Sequence, residues 1–386
     1  MLLIKGGNVH LKTGQVTVCD VLVKDSRIEK IGKDIGVPEN CEVMDASGME
    51  VFPGFIIPLT SVGLLDFTTR LRDNNEKSEP LTPQLNVKDS LDRREVYLQQ
   101  YHYTGITAFG ASPGSSNVIS GQVGVYNTVG KTMKDMCIKE FAALKGNFVT
   151  DVKNSHGKEG KAPMTRMGIA AMMRGAFEET RRYMEKPAAD REYDSKKEAL
   201  AKALNKEVKM IINAQRSAEV AAVMEIAREY GLALVINEAY QAHTLKDEIL
   251  QAGYPIILGQ LHGSSFADTL DVDYSILADM NKKGLPVCCS TSGDSRPAGR
   301  ETLLWSAIKM YQKGVDPEDV INMMTINPAK TLGVDHIIGS IEEGKQADIA
   351  VYKGHPVKTY AAHVEFVVVA GNVVYKNTGR FERCYV

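Results

Sequence analysis

Three polar residues near the ends of predicted strands could do acid–base chemistry in this sequence. Glu238, His262 and Asp294 each follow an apolar run within a few residues. In barrels built from alternating strands and helices, catalytic groups gather where the strands end. Carboxylates and imidazoles placed there transfer protons or bind metals. These three residues are therefore the candidate catalytic groups.

Other kinds of catalysis lack the residues that they need. Cys288 and Cys289 have no evident neighbouring base that would activate a thiol, and the cysteines include no Cys-x-x-Cys pair for zinc. Residues 110–116 are rich in glycine and serine but lack the Gly-Lys-Ser/Thr of a phosphate-binding loop. The eight histidines are scattered without metal-ligand spacing. The sequence alone therefore does not predict a metal site.

The composition is that of an ordinary globular protein. Of 386 residues, 44% are apolar, and the formal net charge is −2 with no basic stripe, so nucleic acid is not an expected partner. No signal-peptide core and no run of roughly 18 apolar residues is present, so we expect a cytoplasmic protein without a membrane partner. The irregularly spaced cysteines fit reduced thiols.

The order of predicted elements positions these residues on a parallel barrel. Short alternating strands with turn signals occur at both ends of the chain, whereas strands and amphipathic helices alternate between them. About eight strand–helix units fit between the two ends, which favours an α/β fold with a closed (β/α)₈ barrel. We expect a barrel domain over residues 55–344, with a charged helical insertion around 178–207. Residues 1–54 and 345–386 are expected to form one small composite β-sandwich domain.

Several segments resemble one known superfamily in their expected order. The segments are Val51-Phe52-Pro53-Gly54-Phe55-Ile56, Asn117-Val118-Ile119-Ser120-Gly121-Gln122, Pro163-Met164-Thr165-Arg166-Met167-Gly168, Thr325-Ile326-Asn327-Pro328-Ala329-Lys330-Thr331-Leu332-Gly333, and the run from Ile338 to Asp348. They resemble the amidohydrolase superfamily, specifically its imidazolonepropionase-like branch. The resemblance covers essentially the whole chain and implies a TIM-like barrel.

The resemblance also implies metal-assisted hydrolysis of a C–N bond, but the residues that would hold the metal differ here. Histidines at strand ends, a strand lysine that forms a carbamate bridge and a final aspartate are implied by the family. The corresponding positions in this chain are Leu59 and Ser61, Asn127 at the lysine, Asn213 and Gln215, Asn237, and Ser292 at the aspartate. Neutral amides and hydroxyls are poor ligands for a catalytic divalent metal. We therefore expect no metal and no other cofactor.

A polar pocket is still expected at the barrel mouth. Its predicted members are Ser61, Asn127, Asn213, Gln215, Arg216, Asn237, His243 and Ser292. Arg216 makes a small carboxylate the expected ligand, because a guanidinium pairs with a carboxylate through two parallel hydrogen bonds.

Three hypotheses for function remain open from the sequence. The first is a metal-free pseudoenzyme with a binding or regulatory role. The second is a metal-independent hydrolase or isomerase of a small carboxylate that contains a C–N bond, in which Glu238, His262 or Asp294 acts as acid or base. The third is a true metallo-amidohydrolase with displaced ligands. A homodimer, and association with a catalytically intact amidohydrolase relative, are the expected assemblies.

Overall fold

A computed structural model describes residues 1–11, 14–66, 71–259, 272–291 and 299–379 of the chain. Its strands are β1 (Leu2–His10), β2 (Val16–Lys24), β3 (Arg27–Gly32), β4 (Glu42–Asp45), β5 (Glu50–Pro53), β6 (Phe55–Thr60), β7 (Leu65–Asp66), β8 (Leu71–Arg72), β9 (Ile106–Ala111), β10 (Ile119–Asn127), β11 (Cys137–Asn147), β12 (Lys209–Asn213), β13 (Leu234–Asn237), β14 (Ile256–Ile257), β15 (Val287–Cys288), β16 (Ile349–Lys353), β17 (His363–Val369) and β18 (Asn372–Lys376). They form two large sheets and one small hairpin.

The α-helices lie mainly between the strands of the second large sheet. They are α1 (Val96–Gln100), α2 (Met133–Met136), α3 (Thr150–His156), α4 (Arg166–Glu185), α5 (Ser195–Leu204), α6 (Ser217–Tyr230), α7 (Lys246–Ala252), α8 (Tyr274–Lys282), α9 (Gly299–Gln312), α10 (Pro317–Asn322) and α11 (Ile326–Leu332). Among the helices of the described ranges, none has both the length and the apolar character needed to span a membrane.

The first large sheet is built from both ends of the chain. Its strand order is β18-β17-β16-β5-β1-β2-β3, and β4 pairs with β1. The two ends meet where β16 runs antiparallel to β5, with Val351 opposite Val51. One face of the sheet packs as an apolar cluster around Val9, Val351 and Val368. The described terminal strands thus lie in a single sheet, and the β-sandwich stays a prediction.

The second large sheet forms a nearly closed barrel. Its strand order is β15-β14-β13-β12-β11-β10-β9-β6. All its neighbouring pairs are parallel except those of β10, which runs antiparallel to both β9 and β11. The backbone of Met323 and Met324 bridges the outer strands β6 and β15. The carbonyl oxygen of Met323 accepts a hydrogen bond from Cys289 N at 2.9 Å, and that of Met324 accepts one from Ile56 N at 2.8 Å. The predicted barrel is therefore present, with one strand reversed.

Helix α6 shows how the sequence pattern packs an element onto the barrel. Val220, Val223 and Ala227 recur at helical spacing and are all fully buried against the strands. The helix ends at Gly231, whose φ of +70° is the left-handed conformation that favours glycine at a helix end. The charged insertion expected at 178–207 comprises the second half of α4 and the whole of α5.

Removing residues 345–386 should prevent cooperative folding. The truncation deletes β16, β17 and β18, which carry fully buried residues such as Val351, Val367 and Val368. Each such side chain contributes about 1.5–3 kcal/mol, so the loss approaches the total stability of roughly 5–15 kcal/mol that is typical of a domain. Thermal unfolding followed by circular dichroism tests this. Removal of residues 380–386, which deletes no described strand, is the control, and a 1–344 fragment with an unchanged transition would contradict the expectation.

Candidate active site at the barrel mouth

Strand ends converge on one cavity at the carboxyl side of the barrel. The carboxyl ends of parallel strands meet at one rim, which is where barrels carry their functional groups. The cavity is lined by Leu59, Thr60, Ser61, Ser112, Lys145, Asn213, Asn237, Glu238, Ser290 and Thr291. Most of these side chains are polar and the enclosed volume is about 10 Å³, room for roughly one water molecule, so the described lining suits a single polar group of a ligand.

Lys145 places an amine inside this cavity. The residue belongs to β11 and is only 3% exposed. Its Nζ donates a hydrogen bond to Asn147 Oδ1 at 3.0 Å. Asn147 is itself fixed, because its Nδ2 donates to Ser120 Oγ at 2.9 Å and to the carbonyl oxygen of Asn117 at 2.7 Å. The amine is therefore held in a defined position by a buried hydrogen-bond network.

Two buried asparagines occupy the ends of β12 and β13. Asn237 Nδ2 donates to Asn213 Oδ1, and Asn213 Nδ2 donates to Ser115 Oγ at 2.9 Å. Both side chains are at least 95% buried. Because the two amides bond to each other, the strand ends present neutral donors and acceptors in a fixed orientation.

Glu238 supplies a carboxylate next to Asn237 in an uncommon backbone conformation. Its φ is +60°, a region that residues other than glycine rarely adopt. One carboxylate oxygen, Oε2, accepts a hydrogen bond from Gln215 Nε2 at 2.9 Å. Such backbone outliers cluster at functional sites, where the surrounding structure holds them in place.

Two hydroxyl residues complete the cavity in different ways. Thr291 is 4% exposed, and its Oγ1 has no hydrogen-bond partner among the residues that the structure describes, so this hydroxyl can bond to a ligand group. Ser112 lies in Gly110-Ala111-Ser112-Pro113-Gly114, which has the Gly-x-Ser-x-Gly spacing of serine hydrolases. Its Oγ donates to the carbonyl oxygen of Pro113 at 2.9 Å, an orientation that does not favour a nucleophilic role.

The structure brings together about half of the residues predicted for the pocket. Ser61, Asn213, Asn237 and Glu238 line the cavity, and Gln215 contacts Glu238. His243 lies in the turn Ala242–Leu245 and Arg216 is exposed at the start of α6, and neither lines the cavity. His262, Ser292 and Asp294 fall outside the described residues.

The assignment of the strand lysine to Asn127 was wrong. Because β10 is antiparallel, Asn127 lies opposite Ala108, well before the carboxyl end of β9, and its Oδ1 accepts a hydrogen bond from Gln346 Nε2 at 2.8 Å. The lysine at the mouth is Lys145, which the sequence analysis missed. A signal was present, because Lys145 interrupts an apolar run that begins at Phe141.

The described lining residues do not fit a hydrolytic divalent metal. Such metals are bound by imidazoles, carboxylates and thiolates. The lining offers one carboxylate, from Glu238, together with hydroxyls, amides and the amine of Lys145. An unmodified, protonated amine would repel a divalent cation at short range, and even a carbamate on Lys145 would give the described lining only two anionic ligands and no imidazole. No step of a reaction is therefore assigned to a metal here.

A second group of histidines and carboxylates lies where the terminal sheet meets the barrel. His10 Nε2 lies 2.7 Å from Glu50 Oε2, and its Nδ1 lies 2.9 Å from Glu318 Oε2. His355 Nε2 lies 3.6 Å from Glu318 Oε1. These ligand types and distances would suit a metal. However, His355 Nδ1 accepts a hydrogen bond from Val357 N at 3.2 Å, which leaves the proton of the neutral ring on Nε2. We therefore describe this group as a cluster of histidines and carboxylates that contact one another.

Sequence comparison places the protein in a family. The Amidohydrolase family matches residues 165–375, more than half of the chain. The chain belongs to this family. This amidohydrolase-family chain is also similar in fold to a crystal structure of an amidohydrolase from Thermotoga maritima MSB8, with a TM-score of 0.90, 28% identity, and coverage of 97% of this chain and 100% of that one. The barrel expected from the resemblance is thereby supported.

Two curated relatives share parts of the sequence. Amidohydrolase tasK of Hapsidospora irregularis is 26% identical over 384 residues, covering 90% of this chain. An imidazolonepropionase of Alkaliphilus oremlandii is 34% identical over 121 residues, covering 30% of this chain. The amidohydrolase-family chain spans 39% and 28% of the lengths of these relatives, so their activities are not transferred to it directly.

Proposed function

We propose that the barrel mouth binds a small polar molecule without a catalytic metal, and that the protein is a binding or regulatory member of the amidohydrolase family. The observation that carries this proposal is Lys145, a buried amine in the cavity beside the Asn213–Asn237 amide pair. The site is thus equipped to hold a ligand by hydrogen bonds and charge.

Lys145 also indicates the class of ligand. An ammonium group donates its strongest hydrogen bonds to anionic acceptors, because such bonds are charge-assisted. Asn237 and the unpartnered hydroxyl of Thr291 can bond to the remaining polar atoms of such a ligand. A small carboxylate that contains an amide or other C–N group matches these features. In this proposal Lys145 binds the carboxylate of the ligand, the role that the sequence led us to expect for Arg216, which is exposed.

Substitution of Lys145 tests the proposal. A thermal-shift screen with small carboxylates and N-acylated amino acids should give hits for the native protein. Lys145→Met should weaken their binding about 10- to 100-fold, which corresponds to a charge-assisted hydrogen bond of roughly 1.5–3 kcal/mol. Arg216→Ala, the matched control, should leave the hits unchanged. Hits that depend on Arg216 and ignore Lys145 would contradict the proposed site.

Metal content provides the second arm of the same test. Protein purified without chelators should contain far less than one equivalent of zinc, manganese or iron per chain. If the native protein held one equivalent of metal within the barrel and the Lys145→Met variant held none, the metal-free proposal would be overturned.

Metal-free catalysis is a second candidate function, and the conformation of Glu238 favours it. A carboxylate and an amine line one cavity, and the carboxylate sits on a backbone with φ of +60°. Such a pair can act as general base and general acid on a C–N bond. Turnover of a cyclic amide that persists in excess chelator and disappears in Glu238→Gln would favour this candidate over a binding role alone.

A further inference from the structure

A second cavity lies beside the barrel mouth, and we call it the side recess. It is lined by Leu64, residues 72–76, residues 84–87, Asp89, Ser90, Pro113 and Ser120, and has a volume of about 360 Å³. Arg72 ends β8, residues 73–76 follow the hairpin of β7 and β8, and Ser120 lies at the start of β10. The side recess shares none of the residues that line the mouth.

The segment 72–76 is held firmly against the loop that follows β9. Gly114 N donates to the carbonyl oxygen of Asn74 at 2.7 Å, and Ser116 N donates to Asn75 Oδ1 at 3.1 Å. Asn117 Nδ2 donates to the carbonyl oxygen of Glu76 at 2.6 Å. The backbone that carries Asn74 is therefore fixed before any ligand binds.

The side chain of Asn74 is buried without a partner among the described residues. Asn74 is 3% exposed, yet within the described part of the chain neither its Oδ1 nor its Nδ2 makes a hydrogen bond. Gln84 Oε1, on the same recess, also has no partner among these residues. Buried polar groups are nearly always paired, since leaving one unpaired destabilises a protein. Three unpaired polar atoms on one cavity therefore indicate a site for a complementary group.

The chemistry of these atoms specifies that group. Asn74 presents one acceptor and one donor side by side, which is the complement of an amide N–H and C=O. The exposed rim carries three carboxylates, on Asp73, Glu76 and Asp89, against the single cation of Arg72. This charge balance disfavours an anion. We propose that the side recess binds the amide group of a small neutral or cationic molecule, through paired hydrogen bonds to Asn74.

This proposal is independent of the function proposed for the mouth. The two cavities meet at one wall, where Ser120 Oγ accepts a hydrogen bond from Asn147 Nδ2 and Asn147 Oδ1 accepts one from Lys145. A ligand in the side recess would thus contact Ser120, which belongs to the hydrogen-bond network that positions the amine of Lys145. It would not contact the residues that line the mouth. Lys145→Met should leave binding in the side recess intact, which separates the two proposals.

Binding of N-acetylglycinamide, measured by ligand-observed NMR on the full chain, tests the proposal. The native protein should bind it, and should bind the anionic N-acetylglycine at least about fivefold more weakly, a difference typical of one lost hydrogen bond or an adverse charge. Asn74→Leu should abolish binding while raising the melting temperature, because it removes two unpaired buried atoms at similar volume. Lys77→Ala, on the exposed neighbouring backbone, is the matched control and should change neither quantity.

Several outcomes would overturn the proposal. Equal binding of N-acetylglycine and N-acetylglycinamide would remove the amide specificity. A lower melting temperature in Asn74→Leu with unchanged binding would show that Asn74 has a structural role only. If Asn74→Leu does not fold, Gln84→Met provides the second test, because it removes one acceptor from a half-exposed side chain. Its binding should be about three- to tenfold weaker, and native affinity in that variant would overturn the proposal.

Discussion

Replacing Glu318 by glutamine is expected to lower the free energy of unfolding by about 3 kcal/mol at neutral pH. Burial alone would raise the pKa of Glu318, but the hydrogen bond to His10 at 2.9 Å and the nearby ring of His355 at 3.6 Å outweigh burial and lower the pKa to about 2. The side chain is 22% exposed, so solvent screens these interactions only in part. Glutamine keeps the shape and loses the charge that the two histidines face.

The pH dependence of this loss follows from the direction of the pKa shift. Because the folded-state pKa of Glu318 lies below its ordinary value of 4.5, the unfolded chain binds more protons between the two values. The stabilisation is therefore fully present above about pH 5 and disappears as the pH falls toward 2. Urea unfolding of the native and Glu318→Gln proteins across this range should show their difference shrinking with acid. Glu248→Gln, on the exposed surface of α7, is the control.

The position of the cluster explains why we expect a large effect. His10 lies on β1 and Glu50 on β5, whereas Glu318 lies on helix α10 of the barrel. The two nitrogens of the His10 ring lie 2.7 Å from Glu50 Oε2 and 2.9 Å from Glu318 Oε2, and the ring stacks on Phe52 at a centroid distance of 4.0 Å. Removing one carboxylate leaves the buried His10 ring with only one of its two partners, and a buried polar group that loses a partner destabilises the fold. A Glu318→Gln protein as stable as the Glu248→Gln control would contradict this account.

Local sequence patterns were sufficient to predict most of the barrel. The amphipathic pattern over residues 217–230 predicts the helix that is α6, and the apolar runs 208–213 and 233–237 predict strands and contain β12 and β13. These elements have a clear period, apolar residues on one face and glycine at the helix end. The ends of β12 and β13 were therefore placed correctly, and with them Asn213, Asn237 and Glu238.

The direction of β10 could not be predicted in the same way. Residues 123–126 have the apolar character of a strand whether that strand runs parallel or antiparallel, because the alternation of side chains does not encode direction. An all-parallel barrel would place Asn127 at the mouth, but the reversed strand places Ser120 nearer to it and leaves β11 to supply Lys145. Strand direction depends on pairing with distant segments, which a single sequence does not reveal.

The amide pair illustrates a second limit of sequence analysis. The identities of Asn213 and Asn237 were evident, but the hydrogen bond that joins them depends on the register of two parallel strands, in which the residues lie opposite each other. Arg216 was expected in the pocket but does not line it. Its position after a strand suggested a place in the pocket, whereas it directly precedes α6 and its backbone N donates to Glu219 Oε2 at 3.2 Å. The turn into the helix carries its side chain away from the cavity lining.

Substitution of Gly110 by alanine is expected to destabilise the barrel by at least about 3 kcal/mol, the upper part of the range for overpacked cores. Gly110 lies on β9 beside β6, and an added Cβ would lie 2.1 Å from the carbonyl oxygen of Pro58. Backbone atoms of a buried strand cannot move aside as a flexible side chain can. The two strands must therefore separate, and the rim residues that follow them, Ser61 and Ser112, should separate with them.

A matched glycine distinguishes this steric effect from the general effect of adding a methyl group. Gly175 is exposed in the interior of α4, and an added Cβ there meets nothing within 4 Å. Gly175→Ala should therefore raise the stability by up to about 1 kcal/mol, through helix propensity alone. Denaturant unfolding of both variants measures the contrast, and the carboxylate hits of the native protein should lose affinity only in Gly110→Ala. A Gly110→Ala protein with native stability would show that β6 and β9 are spaced more widely, and the rim of the cavity would then be built differently.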